Sequence, residues 1–148
     1  VGSSPISPYF RQSTERLHLL DTNACIEFLN GGNDRLVDSI RSQSPSEIAV
    51  CSVVEAELVF GALNSQRVQE NLSTLKQFLA PFRSLPFDDA AADDYGEIRA
   101  HLTQAGNVIG PNDLQIAAIA RSNGLVLVTH NVGEFSRVPG LEIEDWEV

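Results

Sequence analysis

The sequence predicts an α/β fold, with a central, mostly parallel sheet of about five strands and helices on both faces. Three observations carry this. Short apolar runs suited to buried strands alternate with segments of helical period from one end of the chain to the other. No internal repeat or low-complexity block interrupts the alternation. The 148 residues, 43% of them hydrophobic, suffice for one core and leave too little for two domains.

Residues 1–16 are rich in Ser and Pro, show no sustained period and read as an N-terminal extension; the domain proper is 17–148. From Arg16, RLHLLD reads as a buried strand ending in Asp21, and TNACIEFLN as a helix stopped by Gly31 and Gly32. A helical DRLVDSIRS leads through a Ser/Pro turn to a second strand, EIAVCS, followed at once by the helix VVEAELVFGAL. The amphipathic QRVQENLSTLKQFLAPF ends at Pro81, a short strand RSLPF follows, and DDAAADDYGEIRAHLTQAG is a helix with an acidic start. An alanine-rich helix, LQIAAIA, the strand LVLVT, a loop NVGEFSRVPG and a closing strand near LEIEDW complete the chain. The expected core is Leu19, Leu20, Ile26, Phe28, Ile48, Val50, Val54, Leu58, Ile116, Ile119, Leu127 and Val128. Phe60, Phe78 and Phe82 are expected to form an exposed apolar face suited to a second copy or a protein partner.

The formal charge is −10, and Lys76 is the only lysine. A broad basic footprint for phosphate backbones is therefore excluded, so any nucleic-acid chemistry must rest on local arginines or on bound metal. No run approaches the roughly 20 apolar residues of a membrane span, and the N-terminus lacks a signal peptide's apolar centre, so the expected location is the cytoplasm and no membrane partner is expected. Cys25 and Cys51 match no metal-ligand spacing and read as buried free thiols.

Parallel sheets place ligands at the carboxyl ends of their strands. Asp21 ends the first strand, Glu57 lies early in the helix after the second, and Thr129, His130 and Asn131 follow the fourth. Asp113, opening the helix that feeds that fourth strand, would have to reach the same edge from the side. Capping accounts equally well for Asp21 and for the adjacent Asn112 and Asp113. Glu57 sits among Val53, Val54, Leu58 and Phe60 and needs a partner, while Glu55 competes with it and spacing alone leaves the two unresolved. Two carboxylates about 4 Å apart repel by roughly 4 kcal/mol at an effective dielectric near 20. A cluster of this kind needs a cation or a raised pKa, and an all-oxygen set without thiolates favours Mg²⁺ or Mn²⁺ over Zn²⁺.

Three segments, LLDTNACIEFL, SVVEAELVFGA and GPNDLQIAAIARSNGLVLVTHNVGEFSRVPGLEIEDW, occur in order and together resemble the PIN-domain ribonucleases, and within them the VapC toxins of bacterial toxin–antitoxin pairs. The resemblance covers Leu17 to Trp146 and implies a single PIN-like domain. It implies a metal-dependent endoribonuclease in which Asp21, Glu57 and Asp113 hold Mg²⁺ (or Mn²⁺) for hydrolysis of an RNA phosphodiester, tRNA being a frequent substrate. The Glu-Leu context selects Glu57 over Glu55, and leaves Asn112 as the helix cap. Asn23, Thr129 and Asn131 become orienting or water-positioning groups. Many relatives carry an acid after the last threonine, where this chain has Asn131 with Glu134 further along, so the number of metal ions stays open. The resemblance also implies a cognate antitoxin and a homodimer.

Two other readings compete. A haloacid-dehalogenase-like phosphatase would use Asp21 as nucleophile, but that pattern wants a second Asp where this chain has Asn23. A non-catalytic acidic module would use the same carboxylates to grip a basic protein. His18 and His101 read as structural or solvated, His130 as nearer the site but not its base, and Asp88, Asp89, Asp93 and Asp94 as a solvated helix start.

Overall fold

A computed structural model describes residues 16–148; the expected extension lies almost wholly outside them. Strands β1 (His18–Leu20), β2 (Ile48–Cys51), β3 (Arg83–Leu85), β4 (Val126–Val128) and β5 (Glu142–Glu144) form one sheet in the order β3-β2-β1-β4-β5. Every pairing is parallel, with Leu19 opposite both Ala49 and Leu127. The short strands suffice because β2 and β4 are buried along their whole length, which requires cover on both faces.

Parallel neighbours need helical crossovers. Helices α1 (Thr22–Asn30) and α2 (Asp34–Ser42) connect β1 to β2, while α3 (Ser52–Leu63) and α4 (Val68–Leu79) connect β2 to β3. Helices α5 (Asp89–Gln104) and α6 (Pro111–Ser122) carry the chain back across the sheet to β4. The chain therefore leaves β1 toward β2 but returns on its other side, which makes the β1/β4 boundary the switch point of the sheet. The segment between β4 and β5, expected as loop, contains a seventh helix, α7 (Val132–Phe135), whose Phe135 is fully buried. One buried ring anchors a turn too short for periodicity to reveal.

Each helix end has a local cause. Asp21 caps α1 by accepting from the Ala24 N–H at 2.8 Å, and Gly31, at φ 64°, ends the helix in the left-handed conformation that lacks steric cost only for glycine. Asn33 caps α2, accepting from the Leu36 N–H at 2.9 Å, while its amide donates to the Glu147 carbonyl at 3.3 Å and ties down the C-terminal segment. Asn33→Ala is therefore expected to cost about 1–2 kcal/mol. Thermal unfolding should register this as a loss of several degrees; an unchanged midpoint would contradict the double role.

Ten of the twelve expected core residues are buried; Ile26 and Phe28 are not. Ile26 is 39% exposed because its face of α1 borders the clefts beside Glu57 rather than the sheet. Phe28 is half-buried in an aromatic row with Phe78 (centroids 5.0 Å apart) and Phe82 (5.3 Å from Phe78). That row corrects the expected exposed face: Phe78 and Phe82 pack against the core, and only Phe60, at 67%, is widely exposed. Asp88 caps α5 through the Ala91 N–H, but Asp94 is not solvated; it accepts from Arg121 at 3.0 Å and joins α5 to α6. No helix among the described residues is long and apolar enough to cross a membrane.

Candidate active site

The β1 strand ends where Asp21 turns the chain into α1, and the Asp21 N–H donates to the Val128 carbonyl across the switch point at 3.1 Å. Asp21 is 4% exposed. Burial raises its carboxyl above the usual range, opposed by hydrogen bonds from Thr129 and the Ala24 N–H, with Glu147 and Glu57 adding repulsion. Thr129 is itself buried after β4, and its hydroxyl accepts from the Asn131 N–H at 2.9 Å. The two central strands thus deliver a carboxylate and a hydroxyl to the same point.

Glu57 lies one and a half turns into α3. One of its oxygens accepts from the Thr22 hydroxyl, and the other from the Asn112 amide at 2.8 Å. Its two partners adjoin Asp21 and Asp113 respectively, so Glu57 is strung between the neighbours of the other two acids. Glu55 faces away and approaches Lys76 at 3.6 Å. The choice that spacing left open is decided by the helix phase: two residues turn a side chain through about 200°.

Asp113 sits in the first turn of α6, half-buried. Burial, then the charges of Glu134, Asp21 and Glu57, push its carboxyl up to about 6. Glu134, in α7, is the charge that acts on it most strongly. The expected cap role of Asn112 is corrected: Pro111 starts the helix, Gly110 occupies the cap position without a side-chain bond, and Asn112 is already helical. Proline's fixed φ suits the first helical residue, and this frees Asn112 to reach Glu57.

The charge of Glu57 thus reaches Asp21, and the charges of Asp21 and Glu57 reach Asp113. Among the described residues, no three His, Cys, Asp or Glu side chains are gathered into a ready-made metal cage, and both oxygens of Glu57 are engaged by hydrogen-bond donors. The donor set fits a hard divalent cation all the same: oxygen only, with Cys25 and Cys51 buried and their thiols held protonated by that burial. Asn23 is exposed on the cleft wall, and Asn131 and His130 line a smaller recess with Glu27 and Glu147. His130 approaches Asp145 at 2.9 Å, which raises its proton affinity first, with Glu147 next. Sequence reasoning missed the holding roles of Thr22 and Asn112 and the reach of Glu147 to Asp21. Thr22 and Asn112 stood in view beside the acids; Glu147, close to the end of the chain, carried no signal.

A family profile described as PIN domain matches residues 18–141 of this chain. This chain belongs to the PIN-domain family. Similar proteins include the tRNA(fMet)-specific endonuclease VapC of Salmonella typhimurium, 38% identical over 86% of this chain and 96% of that one. Ribonuclease VapC2 of Rickettsia felis is 36% identical over 88% and 98%. Among solved structures, the DNA-bound VapBC of Salmonella typhimurium superposes with a TM-score of 0.83 at 37% identity, covering 88% of this chain and 98% of that chain. The VapBC2 complex of Rickettsia felis bound to a promoter DNA fragment gives 0.80 at 35%, with 88% and 98% covered. Membership of the PIN family removes the haloacid-dehalogenase reading. The switch-point edge of this PIN domain is where its one buried acid among the described residues, Asp21, stands against the buried Thr129.

Proposed function

We propose that this PIN domain is a divalent-metal-dependent endoribonuclease that hydrolyses phosphodiester bonds of a structured RNA such as tRNA, and that it is the toxin of a VapBC-type pair. The observation that carries the reading is Glu57 held between Thr22 and Asn112, the chain neighbours of Asp21 and Asp113. The relatives named endonuclease and ribonuclease support it, as does the general dependence of PIN-domain nucleases on divalent metal.

Asp21, Glu57 and Asp113 would hold Mg²⁺ or Mn²⁺. Such an ion, when bound, lowers the pKa of water and neutralises charge on a phosphoryl group. Thr129 and the Ala24 N–H orient the Asp21 carboxylate, and Thr22 and Asn112 hold Glu57, whose oxygens would exchange a donor for the metal on binding it. Asn23 and Asn131 would position water or a phosphate oxygen, and Glu134 holds negative charge against Asp113. A cognate antitoxin, a homodimer and a cytoplasmic location complete the proposal; relatives solved as VapBC complexes support the first.

The test is incubation of the purified chain with total small RNA, with and without Mg²⁺, beside Asp21→Ala, followed by mapping of new ends. Discrete ends that require both Mg²⁺ and Asp21 are expected. Identical ends from Asp21→Ala would remove the assignment.

A further inference from the structure

Glu57 lines a cleft of about 850 Å³ whose walls are unlike a phosphate-binding surface. Among the described residues that line it there is no Lys or Arg. There are instead two aromatic rings, Phe60 and Phe87, and the amide side chains of Asn23, Asn112 and Gln115. Phe60 lies one turn beyond Glu57, on the same face of α3, and is 67% exposed. Phe87 follows β3 and is 36% exposed; its ring is braced edge-to-face on Tyr95, with centroids 5.9 Å apart, which leaves part of the ring open to the cleft. Gln115 lies one turn beyond Asn112 on α6, so amides and rings line the same cleft.

We infer that Phe60 and Phe87 form a base-stacking platform that holds an unpaired nucleotide of the substrate RNA beside the carboxylates, with the amides meeting the polar edge of the base. The inference rests on the ribonuclease reading above and names what that reading leaves out, the source of substrate affinity in a chain of net charge −10. With no Lys or Arg among the described residues lining this cleft, a strand here is gripped through its uncharged parts. Every base offers a π-face, and Watson–Crick and Hoogsteen edges bond to amides. A paired base keeps its faces inside the duplex, so the platform selects single-stranded segments. A concave wall that mixes rings with amides also suits a base better than it suits the flat apolar face of a second copy.

The test uses the full chain carrying Asp113→Asn, which the proposed mechanism makes inactive, and a short single-stranded RNA containing one 2-aminopurine. Stacking should quench the 2-aminopurine on binding. Adding Phe60→Ala or Phe87→Ala should weaken binding about 5- to 100-fold and abolish the quench, Phe60→Trp should restore both, and Phe60→Leu should not. In the otherwise wild-type chain, Phe60→Ala should raise KM with little change in kcat. Because Phe60 is exposed, the melting temperature should stay put. Affinity within twofold of the parent in both alanine variants overturns the inference. So does a Phe60→Ala chain that turns from dimer to monomer in light scattering while RNA affinity holds, which gives the face to a second copy. Failure of the wild-type chain to cleave any RNA, with Phe60-dependent quenching retained, sinks the nuclease reading and leaves the platform standing.

Discussion

Asp113→Asn is expected to lower RNA cleavage on the order of 10³-fold while making the metal-free protein more stable. The first effect follows from the loss of a charge that would hold the cation, since stabilisation of several kcal/mol by a metal corresponds to about that factor in rate. The second follows from the same charge in the absence of metal. The folded chain holds the Asp113 proton up to about pH 6, whereas the unfolded carboxyl, with its ordinary value of 3.8, releases it earlier. Between those values the folded state binds more protons, so stability from this group rises as pH falls through about 6 and is lost as pH rises. Above pH 6 the ionised carboxylate weakens the metal-free fold. Solvent screens a half-exposed group, so the gain in Asp113→Asn at pH 7.5 is about 1 kcal/mol, or roughly 3 °C in melting temperature. Differential scanning in EDTA checks this, and the gap between variant and wild type should narrow at pH 5. Mg²⁺ should then stabilise the wild type and leave the variant unmoved. Unchanged cleavage would take Asp113 out of the site, and a lower melting temperature in EDTA would contradict its repulsion by Glu134, Asp21 and Glu57.

The largest effect on stability is expected from Phe135→Ala. Phe135 is among the largest fully buried side chains, at 1% exposure, yet it belongs to a helix of only four residues. Truncating a buried Phe costs about 3–5 kcal/mol through lost transfer energy and an unfilled cavity. A domain of this size has only about 5–15 kcal/mol in total, so the variant should unfold at much lower urea concentration. The single tryptophan, Trp146, packs on His18 at 5.1 Å and reports the transition by fluorescence. Phe135→Leu should lose markedly less, because part of the volume is kept. A loss below about 1 kcal/mol in the alanine variant would mean that α7 does not need its anchor. The consequence extends to the site, since α7 carries Glu134 and starts directly after Asn131.

Much of the fold was legible because strands and helices have different hydrophobic periods, and this chain keeps them distinct. All five strands, and the helices from Thr22 to Ser122, fall on segments whose pattern announces them. Where the pattern was too short or its surroundings unknown, legibility ended. Four residues cannot display a helical period, so α7 passed for loop. An apolar side chain carries no mark of which neighbour it will meet, so Ile26 was expected in the core but faces the clefts, while Phe78 and Phe82 were expected outside and pack in a row with Phe28. Asp94 looked like one more solvated acid until Arg121, 27 residues on, was seen to reach it.

By itself the sequence determined the α/β class, the order of the elements and the presence of acids at strand and helix ends, because each of these is written in local composition and period. Only the tertiary structure decided how the acids are held. Pro111 begins α6 one residue ahead of Asn112, the phase of α3 turns Glu57 rather than Glu55 toward it, and the switch point brings Thr129 against Asp21. These are contacts between segments tens of residues apart. Hydrogen bonding and burial act over a few ångströms of space, and nothing in local spacing says which distant segment will close that distance.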